Sequence, residues 1–233
     1  MLGESRSDVV MQTSRHVRSL LDGGRLDLPL PGRGRTAQRL VELSEITRTY
    51  PVGVGRIVEA HVDAVAILSE AGVEPRPDSL YGVWASAGTP PAVLEGGALY
   101  GTKRFCSGLG IVDRALIVVA ADDDRMRLVD VDVVQNDTAT HDTTAWATPA
   151  LADTATGDIV FAGREVASTE VIASNDWYLD RPGFWHGACG PAACWAGAVL
   201  GVVDAADRLV DDDVHQQAHV GAMRATRWSL RAL

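Results

Sequence analysis

Four groups of residues in this chain have types and spacing that could do chemistry. Cys106 follows Lys103 and Arg104, and a nucleophilic thiolate needs such a charge, or a base, to lower its pKa. A strand alternates faces, however, and no histidine lies nearby, so a buried, inert thiol is expected. His215 and His219 are four apart and could share a metal face on one helix. Gln216, Gln217 and Ala218 stand between them, without the glutamate of a zinc hydrolase, and Asp211-Asp212-Asp213 reads as an acidic first turn. No metal site is expected. Gly32-Arg33-Gly34-Arg35-Thr36 precedes a helix and could cradle a phosphate. It is too short for a P-loop and has no lysine, so a capped linker is expected. Asp122-Asp123-Asp124 reads as a hairpin tip.

The bulk properties bound the partners. The chain has 233 residues, 46% hydrophobic and 22% charged, with a formal charge of −10. That composition can bury a real core, and so acidic a surface repels phosphate backbones, so nucleic acid is not an expected partner. Three cysteines in apolar surroundings suit reduced thiols better than a disulfide framework. The first ten residues hold no apolar signal core, and the longest apolar run, Cys194 to Val203, is about half of the roughly 20 residues a span needs. A soluble, cytoplasmic protein without membrane partners is expected.

The elements that must position any site fall in three blocks. Residues 8–22 carry a loose helical period stopped by Gly23-Gly24. After a Pro/Gly-broken connector, Thr36 can cap a helix to Tyr50, with Leu40, Leu43 and Ile46 on one side. Pro51 breaks it. A further helix, 54–71, has Val54, Ile57, Val58, Ala64, Val65 and Leu68 at helical spacing. From Leu80 to Ile172 the chain reads as β. Leu80 to Ala85 is a short strand, Tyr100 to Cys106 leads into a Ser-Gly-Leu-Gly break, and Ala115 to Ala121 is buried on both faces. Arg125 to Val134 alternates, with Arg127, Asp130 and Asp132 on a wet face. Gly157 to Phe161 and Glu165 to Val171 are further short strands, and the set suggests a small barrel or sandwich. Gly190 to Leu209 is a small-residue helix, apolar nearly all round, that needs cover on several sides. A last helix, 214–233, leaves Val220, Met223, Trp228 and Leu230 without a neighbour, so the C-terminal helical layer is expected to be incomplete.

With that order of elements, the middle segment GTKRFCSGLGIVDRALIVVA is similar to a strand-pair motif of the acyl-CoA dehydrogenase family, G-x-K-x-W-I-T/S-x-(small)-x-x-A-D-x-x-x-V-x-A. Lys103, Phe105, Ser107 and Arg114-Ala115 to Ala120 sit in register with it. TRTYPVGVGRIVEAHVDAVAIL resembles the last long helix of the family's N-terminal domain, and Tyr81-Gly82-Val83-Trp84 lies where its Y-x-x-T-E strand would be. GPAACWAGAVLGVVDAA is similar to the first helix of its C-terminal domain, and His215-Gln216 with AHVGAMRATRWSLRAL to its H-Q segment. The resemblance implies an α+β fold. Residues 1–78 would form N-terminal helices, 79–180 a central small β-barrel, and 181–233 the start of a C-terminal helical bundle.

It also implies an FAD-dependent oxidoreductase of fatty acid metabolism that oxidises an acyl-CoA thioester at its α,β bond. A glutamate would take the α proton, and hydride would pass to the flavin. An electron-transfer flavoprotein would be the redox partner and a homo-oligomer the working form. The flavin-lining positions would be Tyr81, Val83, Trp84, Phe105, Cys106 and Ser107. Phe105 keeps a face for ring packing and Ser107 keeps a hydroxyl. Trp84-Ala85 replaces the Thr-Glu pair, Ala87-Gly88-Thr89-Pro90-Pro91 replaces the Gly-Ser-Asp turn, and Gly190 stands where one branch carries its base. The short acidic loop LVDDDV lacks the basic-Phe-Gly segment that reaches the flavin pyrophosphate. No residue is thereby named as the base. A truncated or degenerate non-catalytic relative that has lost flavin and base is the alternative.

Overall fold

The computed structural model describes residues 5–134, 139–144 and 146–232. Helix α1 (Arg6–Asp22) opens with a capping box in which Ser5 and Asp8 satisfy each other's amides. Helices α2 (Thr36–Thr49) and α3 (Val52–Glu70) follow, hinged at Tyr50-Pro51. Thr36 is not the cap of α2: Arg35 holds that position, and the Thr36 hydroxyl accepts the Gly32 amide at 2.9 Å.

Among the described residues eight strands come next: β1 (Tyr81–Trp84), β2 (Val93–Glu95), β3 (Ala98–Cys106), β4 (Arg114–Ala121), β5 (Met126–Asp132), β6 (Ala139–Asp142), β7 (Gly157–Glu165) and β8 (Val171–Ala173). They make one sheet in the order β6-β7-β3-β2-β4-β5-β8, with β1 also paired to β4. The sheet is open, which corrects the expected barrel. β1 and β2 share one edge of β4 in succession, both parallel to it, at Arg114–Ile117 and at Ala120-Ala121. The two end strands, β6 and β8, do not pair with each other. The expected strand over 165–171 is instead the end of β7, a 3-10 turn (Ser168–Glu170) and β8.

β4 is covered on both faces, as its apolar run requires. Ala115, Ile117 and Val119 join a core with Val54, Ile57 and Val58 of α3. Leu116 and Val118 join a second core with Ala64, Ile67 and Leu68. β5 differs from its expected wet face, because Asp130 is buried. Arg114 Nε donates to it at 2.9 Å and the Tyr81 hydroxyl at 3.4 Å.

Two short helices, α4 (Trp177–Asp180) and α5 (Phe184–Gly187), lead to α6 (Gly190–Leu209) and α7 (Val214–Ala232). The run Phe184–Leu209 is long and apolar enough to cross a membrane by length and composition alone. In the fold, Gly190, Cys194, Gly197, Leu200 and Val203 of α6 form one buried stripe. That stripe packs on α2 and α3, where Gly197 meets the Ser44 carbonyl and the Cys194 thiol donates to the Gly55 carbonyl at 3.4 Å. Trp195, Val202 and Leu209 remain exposed, so cover comes from one side among the described residues.

Candidate functional site

A cleft of about 740 Å³ opens where the ends of β1 and β3 meet α3 and the α4–α6 segment. On the sheet side, β3 ends in a forced bend. Phe105 has φ +58, a left-handed conformation uncommon for a bulky residue, and the register with β7 slips between Lys103 and Cys106. The bend turns the Phe105 ring outward, 54% exposed, where it meets the edge of Trp146 at 6.4 Å and lies under Arg104 at 4.9 Å. Next to it, the Ser107 hydroxyl is 2.7 Å from that of Thr156, which is 2.8 Å from that of Thr154. The Trp84 indole donates to the Ser107 carbonyl at 3.0 Å and fixes this strand end.

Of the six residues expected at a flavin, the structure brings Val83, Phe105 and Ser107 together on the cleft wall. The side chains of Tyr81, Trp84 and Cys106 turn into the core instead. Tyr81 donates its amide to His61 Nδ1 at 3.1 Å, and its hydroxyl accepts from the Arg76 amide. The Cys106 thiol donates to the Lys103 carbonyl at 3.5 Å, and burial pushes its pKa up to about 12, so it is inert. Lys103 is itself buried, lowered to about 8 by desolvation, and donates to the Val118 carbonyl at 2.7 Å. His215 and His219 lie exposed on α7. Among the described residues no group of three or more His, Cys, Asp or Glu could hold a metal.

The helix side of the cleft was not singled out by the sequence reading. Glu59 and Asp63, one turn apart on α3, line it together with Arg56, Arg181, Tyr178 and Phe184. Arg56 Nη1 donates to Glu59 Oε2 at 2.7 Å. Arg181, 3% exposed, donates to Glu70 Oε2 at 2.8 Å and to Asp63 Oδ1 at 3.4 Å, while its Nε has no partner among the described residues. Burial, opposed by the Arg56 charge, raises Glu59 to about 7, and burial likewise raises Asp63. These carboxylates fit because three glycines face them. A Cβ on Gly190 would meet Glu59 Oε1 at 2.5 Å and one on Gly187 would meet Asp63 Oδ1 at 2.6 Å; one on Gly183 would overlap Glu70. The signal available in the sequence was this spacing of small residues opposite acids at helical intervals.

The cleft thus sets an aromatic and hydroxyl wall against the buried Glu59 and the half-buried Asp63. A planar ring could rest on the first, and a proton could be held at the second.

No family model matches the sequence, and no curated protein matches it. Similar solved structures exist. TdsC from Paenibacillus sp. A11-2, in complex with FMN and indole, is 15% identical with a TM-score of 0.69, over 97% of this chain and 74% of that one. Butyryl-CoA dehydrogenase from Megasphaera elsdenii is 15% identical with a TM-score of 0.68, over 94% and 68%. The electron transferring flavoprotein of Acidaminococcus fermentans is 14% identical with a TM-score of 0.69, over 100% and 77%. Likeness at such identity speaks for architecture alone, and that architecture is plain: helices, an open β-sheet and helices again, in the acyl-CoA dehydrogenase-like fold.

Proposed function

We propose that the chain is a flavin-dependent oxidoreductase of the acyl-CoA dehydrogenase type, with FAD as cofactor and an acyl-CoA-type thioester as substrate. The observation that carries this reading is the convergence of Val83, Phe105, Ser107 and Thr156 on one wall of the cleft. The fit to a flavin ring is physical. Phe105 offers an exposed aromatic face, Val83 an apolar edge, and the Ser107–Thr156 pair a hydroxyl that can bond a ring heteroatom. Such a cofactor supplies the hydride-accepting chemistry. The protein's part is to seat the ring, exclude water and polarise the thioester carbonyl. Solved structures of similar fold that hold FMN, or act on butyryl-CoA by name, support the same class. The site falls where the proposed segments 1–78, 79–180 and 181–233 meet. Fatty acid metabolism, an electron-transfer flavoprotein as redox partner, a homo-oligomeric form and a cytoplasmic setting for the three free thiols belong to the same proposal.

The purified chain, mixed separately with FAD and FMN, should quench and shift the flavin spectrum. Ser107→Ala should weaken uptake about fivefold, the loss of roughly one hydrogen bond, and Phe105→Ala about tenfold, the loss of an aromatic contact. Uptake of neither flavin overturns the reading. A degenerate, flavin-free relative is the second reading, favoured by one feature. The cations lining the cleft, Arg56 and Arg181, are already paired to acids rather than free for a pyrophosphate.

A further inference from the structure

Three hydroxyls run in a line along the sheet-side wall of the cleft, and their protons have one consistent arrangement. A hydroxyl carries a single proton to donate and accepts through its lone pairs. Thr154 donates to the Leu151 carbonyl at 2.7 Å, which uses its proton. The 2.8 Å bond between Thr154 and Thr156 must then be donated by Thr156, and the 2.7 Å bond between Thr156 and Ser107 by Ser107. Thr154 and Thr156 are buried, and half-buried Ser107 borders the cleft. The relay therefore ends at Ser107 Oγ, with its proton turned inward and its lone pairs left for the cleft.

The frame that sets this direction is strained and well tied. Leu151 and Ala155 flank the 3-10 turn Ala152–Thr154 with left-handed φ of +55 and +47, which residues with a Cβ seldom adopt. The turn is held to the exit of β3, where the Gly108 amide donates to the Thr154 carbonyl at 2.8 Å and the Leu109 amide to the Ala155 carbonyl at 3.3 Å. The Trp146 indole, also on this wall, donates its N–H to the Ala150 carbonyl at 2.7 Å. Among the described residues, the side chains of this wall thus offer an acceptor and no free donor.

We infer that Thr154 and Thr156 are positioning residues that fix Ser107 as a hydrogen-bond acceptor, so that this wall selects a planar ring presenting an N–H there. The inference rests on the flavin reading above and sharpens it. A flavin carries a ring N–H at N3 and gains one at N5 on two-electron reduction, and an accepting hydroxyl reads either as the same chemistry. A ring edge offering only carbonyl oxygen or bare nitrogen finds no side-chain donor on this wall. Removing the Thr154 oxygen reverses the relay. Thr156 loses its acceptor, its proton turns to Ser107, and the Ser107 proton is released towards the cleft.

Neutron diffraction from deuterium-exchanged crystals of the ligand-free chain tests the relay directly. The Ser107 deuterium should lie on the line to Thr156 Oγ1; one directed into the cleft overturns the inference, whatever the chain binds. A second experiment measures dissociation constants of the full chain for oxidised FAD, dithionite-reduced FAD and N3-methylated FAD. The wild type should disfavour the probe lacking the N–H it uses by about fivefold, the scale of one neutral hydrogen bond. That reads as reduced over oxidised for N5, or unmodified over methylated for N3. Thr154→Val and Thr156→Val should abolish the preference, and Thr154→Ser, which keeps the relay, should retain it. A merely steric or structural role would not give that pattern. A wild type that binds flavin with neither preference, or folded valine variants that keep it, overturn the inference while leaving the flavin reading intact. A wild type that takes up no flavin removes the function proposed above and the ring selection with it, and the deuterium positions still judge the relay.

Discussion

Helices α3 and α7 are each 19 residues long, yet α3 buries twelve of its residues and α7, among those described, only Val220. Their chemistry is inverted as well. α3 carries Glu59 and His61 into dry surroundings, while α7 leaves Val214 and Trp228 in the open. What separates them is coverage. α3 lies under α2, α6 and β1, and its neighbours present glycines where its polar side chains need room. α7 touches α6 mainly through ion pairs such as Arg224–Asp207 at 2.7 Å, which at a wet surface contribute little. Desolvation raises a carboxyl's pKa and lowers an imidazole's, so the covered helix is where this protein can hold a carboxyl protonated near neutrality.

The sharpest way to break the contrast is to remove a cation from each helix's surroundings. Arg181→Ala strands Asp63 and Glu70 against α4–α6 and should cost about 3–5 kcal/mol, the range for halving a buried ion pair. Arg224→Ala on α7 should cost under about 1 kcal/mol. Urea denaturation measures both, and equal losses would dissolve the distinction.

A second test follows pH. His61 is held neutral by burial, its pKa lowered from 6.5 to about 4. Between those values the unfolded chain binds more protons than the folded one, so stability falls as pH drops through the window, by about 3 kcal/mol in all. Glu59 acts oppositely, since its raised pKa makes stability fall as pH rises from 4.5 towards 7. The wild type should therefore show a flattened profile between pH 4.5 and 6.5. His61→Gln, which keeps an acceptor for the Tyr81 amide, should lose the acid-side decline and leave the Glu59 slope visible in thermal melts.

The smallest effects compare two glycines. At Gly55 in α3 a Cβ would collide with the Thr47 side chain, so Gly55→Ala should cost about 1–3 kcal/mol through overpacking. At Gly221 in α7 nothing lies within 4 Å, and Gly221→Ala should stabilise by about 0.5–1 kcal/mol through helix propensity. Opposite signs in calorimetry would confirm that coverage, not helix type, separates the two elements.

Much of the architecture was legible because it is written in local periods. The apolar spacing of α3, the stop at Pro51 and the uninterrupted run of β4 each correspond to an element found in place. The open sheet was not legible, because it depends on β1 and β2 lining up along one edge of β4, a pairing between distant residues that alternation does not encode. β6, Ala139–Asp142, has no apolar pattern and exists only as a partner of β7. The cleft was half legible. Phe105 and Ser107 were found through the strand that carries them, but Glu59 and Asp63 were hidden among the apolar positions of α3. On an isolated helix such acids mark the solvent side; here they are inside because Gly187 and Gly190 leave space for them.

That opposition of glycines and carboxylates sets how the protein can drift over time. Glu59 with Gly190, Asp63 with Gly187 and Glu70 with Gly183 behave as locks and keys cut together. A bulkier key at any of the three is tolerable only beside a shorter partner across the gap, so substitutions should be inherited in couples. Tracing which couples change jointly among future relatives would map the inner wall of the cleft without another structure.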